Sequence, residues 1–510
     1  MHSTNPALKG KSLFYLLKTA AIYRACQSEF FLRHGESMTN KSYKILGKTI
    51  TNAFVERTGG LIFTSGPTIE TLMKDMDRLY KEDGIGSVAN FVMEGIEDDD
   101  IAKFDGARDY LIETMRVSKN DDPSVRKYFQ MAIKLTGLGH MDMFEHFNKS
   151  QTLLLDGLFK KYSITEHQDV QELLFDAENP SPRPILTRNG IKSFLAEHNI
   201  DYTEQELDEF IELAKFEDSE FGKDEIGEIE FYHNIHSHYV FSEDHNTSLL
   251  RKICNSAYGG SEDKEKREAI KRCVDRTVKI LEVADRLNVI VNVDAEQTYI
   301  QKTLDSLTRQ MQTKFHRDRE AFIMNGYQSY LKATPEHIKL EIERCRRADI
   351  AFGLKIVRGA YMNEERRLAS KRNYESPIWE TIEDTHESYN LNIKNCMNNL
   401  DPIKDKILVA SHNVDSCNIA KALMKQNNLD SSSVCFGQLK GFSDSLTYSL
   451  KDQGYNVIKY LPYGPTNYLI PYLLRRGHES KEVMREHLFL DDISDEIRAR
   501  LHLRKKPRPA

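Results

Sequence analysis

Eight short runs of apolar and β-branched residues, most of them separated by stretches with helical periodicity, constrain this chain more than any other feature. They are Gly86 to Glu94, Phe129 to Thr136, Asn288 to Asp294, Ala321 to Tyr330, Phe352 to Arg358, Lys406 to His412, Val434 to Leu439 and Asn456 to Tyr460. Between the later runs lie amphipathic segments such as Pro335 to Ala348, Pro377 to Leu400 and Val414 to Gln426, several opened by proline or a polar cap. Strand and helix in alternation require parallel strands with right-handed crossovers. Eight of them predict an α/β fold closed into a TIM-like (βα)8 barrel.

Such a barrel gathers the carboxyl ends of its strands on one face, where the loops build the site. Read in order, those ends offer Glu94, Lys134, Asp294, Gln328, Lys355 with Arg358, His412, Gln438 and Tyr460. One polar terminus is an ordinary strand end meeting water; eight in succession predict convergence. Beyond the last run, Tyr460-Leu-Pro-Tyr-Gly-Pro465 leads into a short amphipathic segment carrying Arg475 and Arg476. Successive helical positions point about 100° apart. Both guanidinium groups therefore serve one carboxylate only if that helix lies across the mouth of a pocket.

Two segments interrupt the pattern, which divides the chain into a helical arm at 1–80, a barrel at 81–150 and 246–480, an insert at 151–245 and a basic tail at 481–510. The arm is expected to wrap the outside. The insert is too long for a barrel loop, and its Asp224-Glu-Ile-Gly-Glu-Ile-Glu-Phe231 has the rhythm of an EF-hand loop. With Gly227 at loop position six, Gly222 stands first and His233 twelfth, where calcium needs oxygen ligands. The insert reads as an EF-hand-like helical pair without its metal. Gly84-Ile-Gly86 precedes a strand instead of following one, so it reads as a turn and not a dinucleotide fingerprint. His233, His236, His238 and His245 match no common metal spacing, and no metal site is expected.

A formal charge of −7 and a pI near 6.2 give no reason to expect nucleic acid as a partner. No run of 18 uncharged apolar residues occurs. Seven cysteines without a C-x-x-C pair fit ordinary core positions. The first 28 residues hold Lys9, Lys11, Lys18 and Arg24 but no acidic residue. They read either as the remnant of a mitochondrial presequence or as a surface helix, since Leu13, Leu16, Leu17 and Ala20 recur at helical spacing. Arg498 to Ala510 carries six basic residues, suited to anionic lipid or to a solvated end.

Cations at Lys134, Arg475 and Arg476 suit a small carboxylate, and Tyr361 with Tyr460 suit a small ring. Gln328, Arg358, His412 and Gln438 offer donors to a large polar cofactor. With no strong serine or cysteine nucleophile motif and a single Asp among the strand ends, cofactor-dependent redox chemistry is favoured.

Lys355-Ile-Val-Arg-Gly-Ala-Tyr361 with Glu364 and Arg366, Asp294-Ala-Glu296, Ala410-Ser-His-Asn413, and Tyr460 to Pro465 with Arg475, Arg476 and Glu479 resemble the signature of proline dehydrogenase, in its eukaryotic mitochondrial branch. The resemblance runs from about residue 13 to the final Pro-Ala and is strongest over 286–480. It implies a distorted barrel that binds FAD noncovalently and oxidises L-proline to Δ1-pyrroline-5-carboxylate on the matrix side of the mitochondrial inner membrane. Electrons pass on to ubiquinone, and peripheral contact with that membrane is implied. Asp294 and Lys355 match catalytic positions, Lys355 near the flavin N(5), where bacterial members often have Arg. Lys134, Arg475 and Arg476 match carboxylate-binding positions, and Tyr361, Leu439 and Tyr460 substrate-pocket positions. Ala295, Gln328, Lys355, Arg358, Gly359, Ala360, Ser411, His412, Asn413, Gln438 and Glu479 are expected at the cofactor. Hydroxyproline dehydrogenase, a sister family on the same fold, is the nearest alternative; it has a smaller residue where Tyr460 stands. A calcium-responsive scaffold built on the insert is the alternative from another class.

Overall fold

A computed structural model describes residues 6–8, 11–93, 101–118, 129–164, 183–235, 248–260, 263–479 and 488–503; at 6, 26–27, 29–33, 36, 475–479 and 488–489 it describes the helix alone. Eight parallel strands close into a barrel in chain order, so that each pairs with its sequence neighbour and the first with the last. They are β1 (Gly86–Phe91), β2 (Phe129–Ile133), β3 (Ile290–Val293), β4 (Ile323–Gln328), β5 (Gly353–Val357), β6 (Lys406–Ala410), β7 (Val434–Leu439) and β8 (Val457–Tyr463). The closing pair runs in register from Gly86 opposite Ile458 to Phe91 opposite Tyr463.

The two-residue period of a strand explains why one sequence both fills the barrel and equips its mouth. Val88, Ala132, Met324, Leu408, Ile458 and Tyr460 form an inner apolar cluster. Two residues beyond Val88 stands Asn90, two beyond Ala132 stands Lys134, and four beyond Met324 and Leu408 stand Gln328 and His412. The opposite strand faces pack on the surrounding helices in two further clusters, one containing Met131, Val291 and Ile323, the other Leu354, Ile407 and Phe436. Helix starts are fixed locally: Thr381 caps Ile382–Asn398 in a capping box and Asn413 caps Val414–Gln426.

Several expectations are corrected. β8 does not stop at Tyr460 but continues through Pro462 to Tyr463. Pro462 lacks a donor, yet its carbonyl still accepts from the Ser65 N–H at 2.7 Å, so the strand tolerates it. The remaining strands stop short of their sequence runs or match them; Glu94 lies outside the described residues. Gly84, at φ 65°, caps the helix Ile69–Asp83 and turns the chain into β1.

The N-terminal segment is mostly helical. Helix Leu13–Gln27 packs Leu16, Ala20 and Tyr23 against Phe63, Phe442 and Ile493, which makes it part of the fold. Helix Glu29–Val55, bent at Gly47 (φ 78°, ψ 160°), lies over the barrel mouth. The C-terminal segment holds a packed helix, Leu488–Arg500, where Arg498 pairs with Asp495 and Arg500 with Glu496 at 2.7 Å. The rest of the basic tail, 504–510, lies outside the described residues.

The insert enters between β2 and β3. Its short strands Ile185–Thr187 and Glu225–Gly227 pair antiparallel, with Leu186 opposite Ile226, between helices Arg188–Glu197 and Glu204–Ala214 and the turn that begins at Glu228. That bridge shifts the loop frame by three residues: the helix-entering glutamate is Glu230, and His233 lies one turn further on. Glu230 is buried and accepts from the N–H groups of Gly227 (3.3 Å) and Phe216 (3.4 Å). The positions ahead of it in this frame, Ser219, Phe221 and Lys223, supply no carboxylate. Among the described residues no cluster of His, Cys, Asp and Glu could hold a metal; His236, His238 and His245 lie outside them. The insert docks on the barrel helices Thr298–Phe315 and Thr334–Arg347. Arg309 stacks 4.2 Å from the Tyr232 ring centroid, and Arg183 joins Glu228 to Glu343.

Candidate active site

The polar strand ends meet in one cavity of about 1690 Å³. Its floor is charged. Asp294, the first residue past β3, is held by its own N–H on the Ile133 carbonyl at 3.0 Å, so the β2–β3 pairing carries it. Its carboxylate accepts from Lys134 Nζ at 2.8 Å and, through the other oxygen, from Lys355 Nζ. The lysine side chains are 4% and 5% exposed. Burial pushes the Asp294 carboxyl upward, but the two ammonium groups outweigh it and hold it well below the carboxylate range. Two cations around one anion leave the floor with a net charge of +1. Above it, Lys355 Nζ lies 5.4 Å from the Tyr460 ring centroid. Burial, followed by the charge of Asp294, pushes the Tyr460 phenol far above its ordinary range.

The loops after β4 to β7 form the wall. Gln328 donates from Nε2 to the Glu296 carbonyl at 2.7 Å, while the Glu296 carboxylate accepts from Thr136 at 2.7 Å. Arg358 donates to His386 Nδ1 (3.0 Å), Ser411 Oγ (2.7 Å) and Ser416 Oγ (2.9 Å) and stacks on Tyr389. His412 Nε2 accepts from the Leu439 N–H at 3.1 Å, which leaves the ring proton on Nδ1. Gln438 is fixed at both ends, on the Ser411 carbonyl (3.1 Å) and by Thr447 (3.0 Å). Asn413 uses its side-chain oxygen to cap the next helix at Ser416 N (2.9 Å). Gly359, at φ 143°, lies against Tyr330: a Cβ there would meet the ring at 2.5 Å, so only glycine fits.

Two helices cover the mouth. Thr466–Glu479, with Pro471 inside it, presents Asn467, Ile470, Pro471 and Leu474 to the cavity. Glu29–Val55 presents Thr39, Asn40, Tyr43, Lys48 and Asn52. They pack closely at Gly35, where a Cβ would meet Leu474 at 2.5 Å. Tyr43 donates to Asn52 at 2.9 Å across the bend at Gly47.

All the expected site residues with described side chains line this cavity: Lys134, Asp294, Ala295, Gln328, Lys355, Arg358, Gly359, Ala360, Tyr361, Ser411, His412, Asn413, Gln438, Leu439 and Tyr460. Arg475, Arg476 and Glu479 stand in the last turns of the covering helix, and their side chains lie outside the description. Sequence reasoning missed Asn90, Tyr330, Trp379, His386 and the face of helix Glu29–Val55. Asn90 was findable, since it follows Val88 at the same two-residue period that marks Lys134.

Among the described residues the cavity holds buried polar atoms without a protein partner: Asn90 Oδ1, Gln328 Oε1, Trp379 Nε1 and Tyr460 Oη. Its volume exceeds the roughly 300–1,000 Å³ of a pocket for one drug-sized ligand. A dinucleotide such as FAD together with a small substrate fits both the size and the donor set.

Fold and cavity together define a TIM-barrel protein with a cofactor-sized site at the carboxyl end of its strands. A sequence profile of the proline dehydrogenase family matches residues 73–486, and the chain belongs to that family. Mitochondrial proline dehydrogenase 1 of Caenorhabditis elegans is 26% identical over 531 residues, covering 95% of this chain and 85% of that protein. The Drosophila melanogaster protein of the same name is 36% identical over 229 residues, covering 43% of this chain but only 34% of its own length. Hydroxyproline dehydrogenases match as well. A crystal structure of proline utilization A from Bdellovibrio bacteriovorus superposes with a TM-score of 0.56 at 14% identity, over 97% of this chain and 40% of that one. That likeness concerns the fold.

Proposed function

We propose that this chain oxidises L-proline to Δ1-pyrroline-5-carboxylate with noncovalently bound FAD in the cavity, and that the electrons then pass to ubiquinone. The observation that carries the reading is the buried Lys134–Asp294–Lys355 group beneath Tyr460. Gln328, Arg358 to Ala360, Ser411 to Asn413, Gln438, Ala295 and Glu479 would hold the flavin, which supplies the hydride acceptor when bound. Hydride leaves the ring carbon beside nitrogen only when the amine is neutral, because an ammonium has no lone pair to share with the developing cation. The positive floor disfavours the protonated amine and attracts the carboxylate, which Lys134, Arg475 and Arg476 fix. Asp294 orients both lysines. Tyr361, Leu439 and Tyr460 wall the ring. The helix Thr466–Glu479 and its neighbour Glu29–Val55 exclude water and open to load.

Proline is favoured over its 4-hydroxy derivative because the Tyr460 ring occupies space the hydroxyl would need. The names of relatives support a mitochondrial setting, read as the matrix side of the inner membrane with peripheral contact to it. No described helix is long and apolar enough to cross a membrane. A visible spectrum tests the reading: flavin bands that bleach on adding proline are expected, and a colourless protein, or bands that proline leaves unchanged, would refute it.

A further inference from the structure

The helix that covers the site has a second face. Thr39, Tyr43 and Asn52 turn toward the cavity. At 100° per residue, Ile45 points about 160° from Tyr43, and Ile50 and Phe54 about 160° from Asn52. These outward side chains are large and bare: Ile45 is 79% exposed, Ile50 61% and Phe54 68%, with Leu46 at 52% and Leu61 at 50% just beyond the helix. Large apolar residues grouped on one element mark an interaction surface, whereas single exposed ones do not.

Charge identifies the occupant. The chain carries −7 overall, yet from Ser37 to Val55 it has no acidic residue but three lysines, Lys48 on the cavity side and Lys41 and Lys44 outside the cavity lining. All three lysines are exposed. Helix Leu13–Gln27, joined to this region by Lys18 Nζ on the Arg57 carbonyl at 2.5 Å, adds exposed Phe14 and Leu17. A protein partner of the ordinary acidic kind would match the lysines but not the isolated aliphatic ridge. An apolar ridge flanked by lysines is the chemistry of a helix lying in the interface of an anionic bilayer.

We infer that the outer face of helix Glu29–Val55 between Lys41 and Phe54 is the surface by which this chain rests on an anionic lipid bilayer. Lipid contact and the cover of the site are then the two faces of one helix. A lipid-soluble oxidant would reach the cavity from under the element that touches the membrane. The inference rests on the peripheral membrane contact proposed above and names the surface that makes it.

Flotation of the full-length protein with vesicles tests it, comparing phosphatidylcholine alone with phosphatidylcholine containing an anionic phospholipid. The wild type is expected to float with anionic vesicles, less at high salt. Ile50→Asp with Phe54→Asp should lower the bound fraction about tenfold or more, and Lys41→Glu with Lys44→Glu should remove the preference for anionic lipid. Ending the chain at residue 503 should change neither. The positions are exposed, so melting temperatures should match the wild type, and Ile50→Ser with Phe54→Ser serves if the aspartates do not fold. Unaltered flotation of both apolar double variants would overturn the inference, as would loss of binding on removing 504–510. So would a soluble self-associated species that these substitutions dissociate, which would make a second copy the occupant. Reduction of a water-soluble acceptor by proline, measured in parallel, tests the catalytic reading separately: its failure leaves the flotation result intact.

Discussion

Replacing Asp294 with Asn tests whether the charged floor is held together as described. The carboxylate sits 2.8 Å from Lys134 Nζ and bonds Lys355 Nζ through its other oxygen. At an effective dielectric constant near 20, each contact is worth about 6 kcal/mol of Coulomb attraction before desolvation is subtracted. Removing one partner of such a buried group typically costs about 3–5 kcal/mol, because the charges left behind have no counterion. Here two ammonium groups, 4% and 5% exposed, would remain. The amide oxygen can accept from one of them, but its NH2 then faces the other, donor against donor. A loss of about 3 kcal/mol is therefore expected, read as a drop of several degrees in the thermal midpoint and an earlier urea transition. A variant that melts with the wild type at pH 7 would refute the claim that Asp294 neutralises both lysines. The floor would also rise from +1 to +2, so proline should bind no more weakly while its turnover falls.

Three further outcomes are expected. Tyr460→Ser should raise kcat/KM for trans-4-hydroxyproline relative to proline by roughly 10–100-fold, the scale of one filled or emptied apolar contact; an unchanged ratio would remove the steric account of specificity. Trp379 is the single tryptophan of the chain and lines the cavity, so adding FAD to apoprotein should quench its fluorescence, and Trp379→Phe should abolish the signal without preventing FAD uptake. Burial pushes the Glu228 carboxyl up to about 7, with Glu336 and Glu343 adding to it against Arg183. A carboxyl raised in the folded state loses stability as pH rises from its unfolded value through about 7, so Glu228→Gln should stabilise the protein at pH 8 by about 1–3 kcal/mol and do little at pH 5, as melting at the two pH values would reveal.

The barrel was legible because hydrophobic periodicity is local: each strand announces itself within a few residues, and chain order dictates the neighbours. The floor was legible for the same reason. Lys134, Asp294, Lys355 and Tyr460 are each reached from an apolar strand, and pairing does the rest. Strand ends were less readable, since a residue such as Pro462 is accepted or refused according to what its neighbours offer, here the Ser65 N–H on its carbonyl. The calcium-loop frame failed because glycine is a weak marker. Gly227 precedes a helix with ordinary φ of −72°, whereas the pairing of Ile226 with Leu186 is what sets the register. Arg358, Gln438 and Asn413 illustrate a subtler gap. Their positions beside the cavity were readable, but their bonds to Ser411, Thr447 and Ser416 depend on loops that meet only in three dimensions.

The cover was the least legible part, and the reason is topological. The two helices over the mouth come from near the opposite ends of the chain, Glu29–Val55 and Thr466–Glu479, and nothing local in either announces the other. Their contact is made where Gly35 leaves room for Leu474, a match of shape that composition and spacing do not encode. The closed barrel therefore does not by itself make a closed site. All eight strands lie from Gly86 onward, while the segment before them bonds the rim, the Ser65 N–H to the Pro462 carbonyl and the Gly464 N–H to the Gly66 carbonyl. Helix Glu29–Val55 covers the mouth across a bend at Gly47, with the Tyr43–Asn52 hydrogen bond tying its two halves. The same bend separates the outward Ile45 from Ile50 and Phe54. The cover is thus built in two halves, and in each the outward residues belong to the same element whose inner face lines the site.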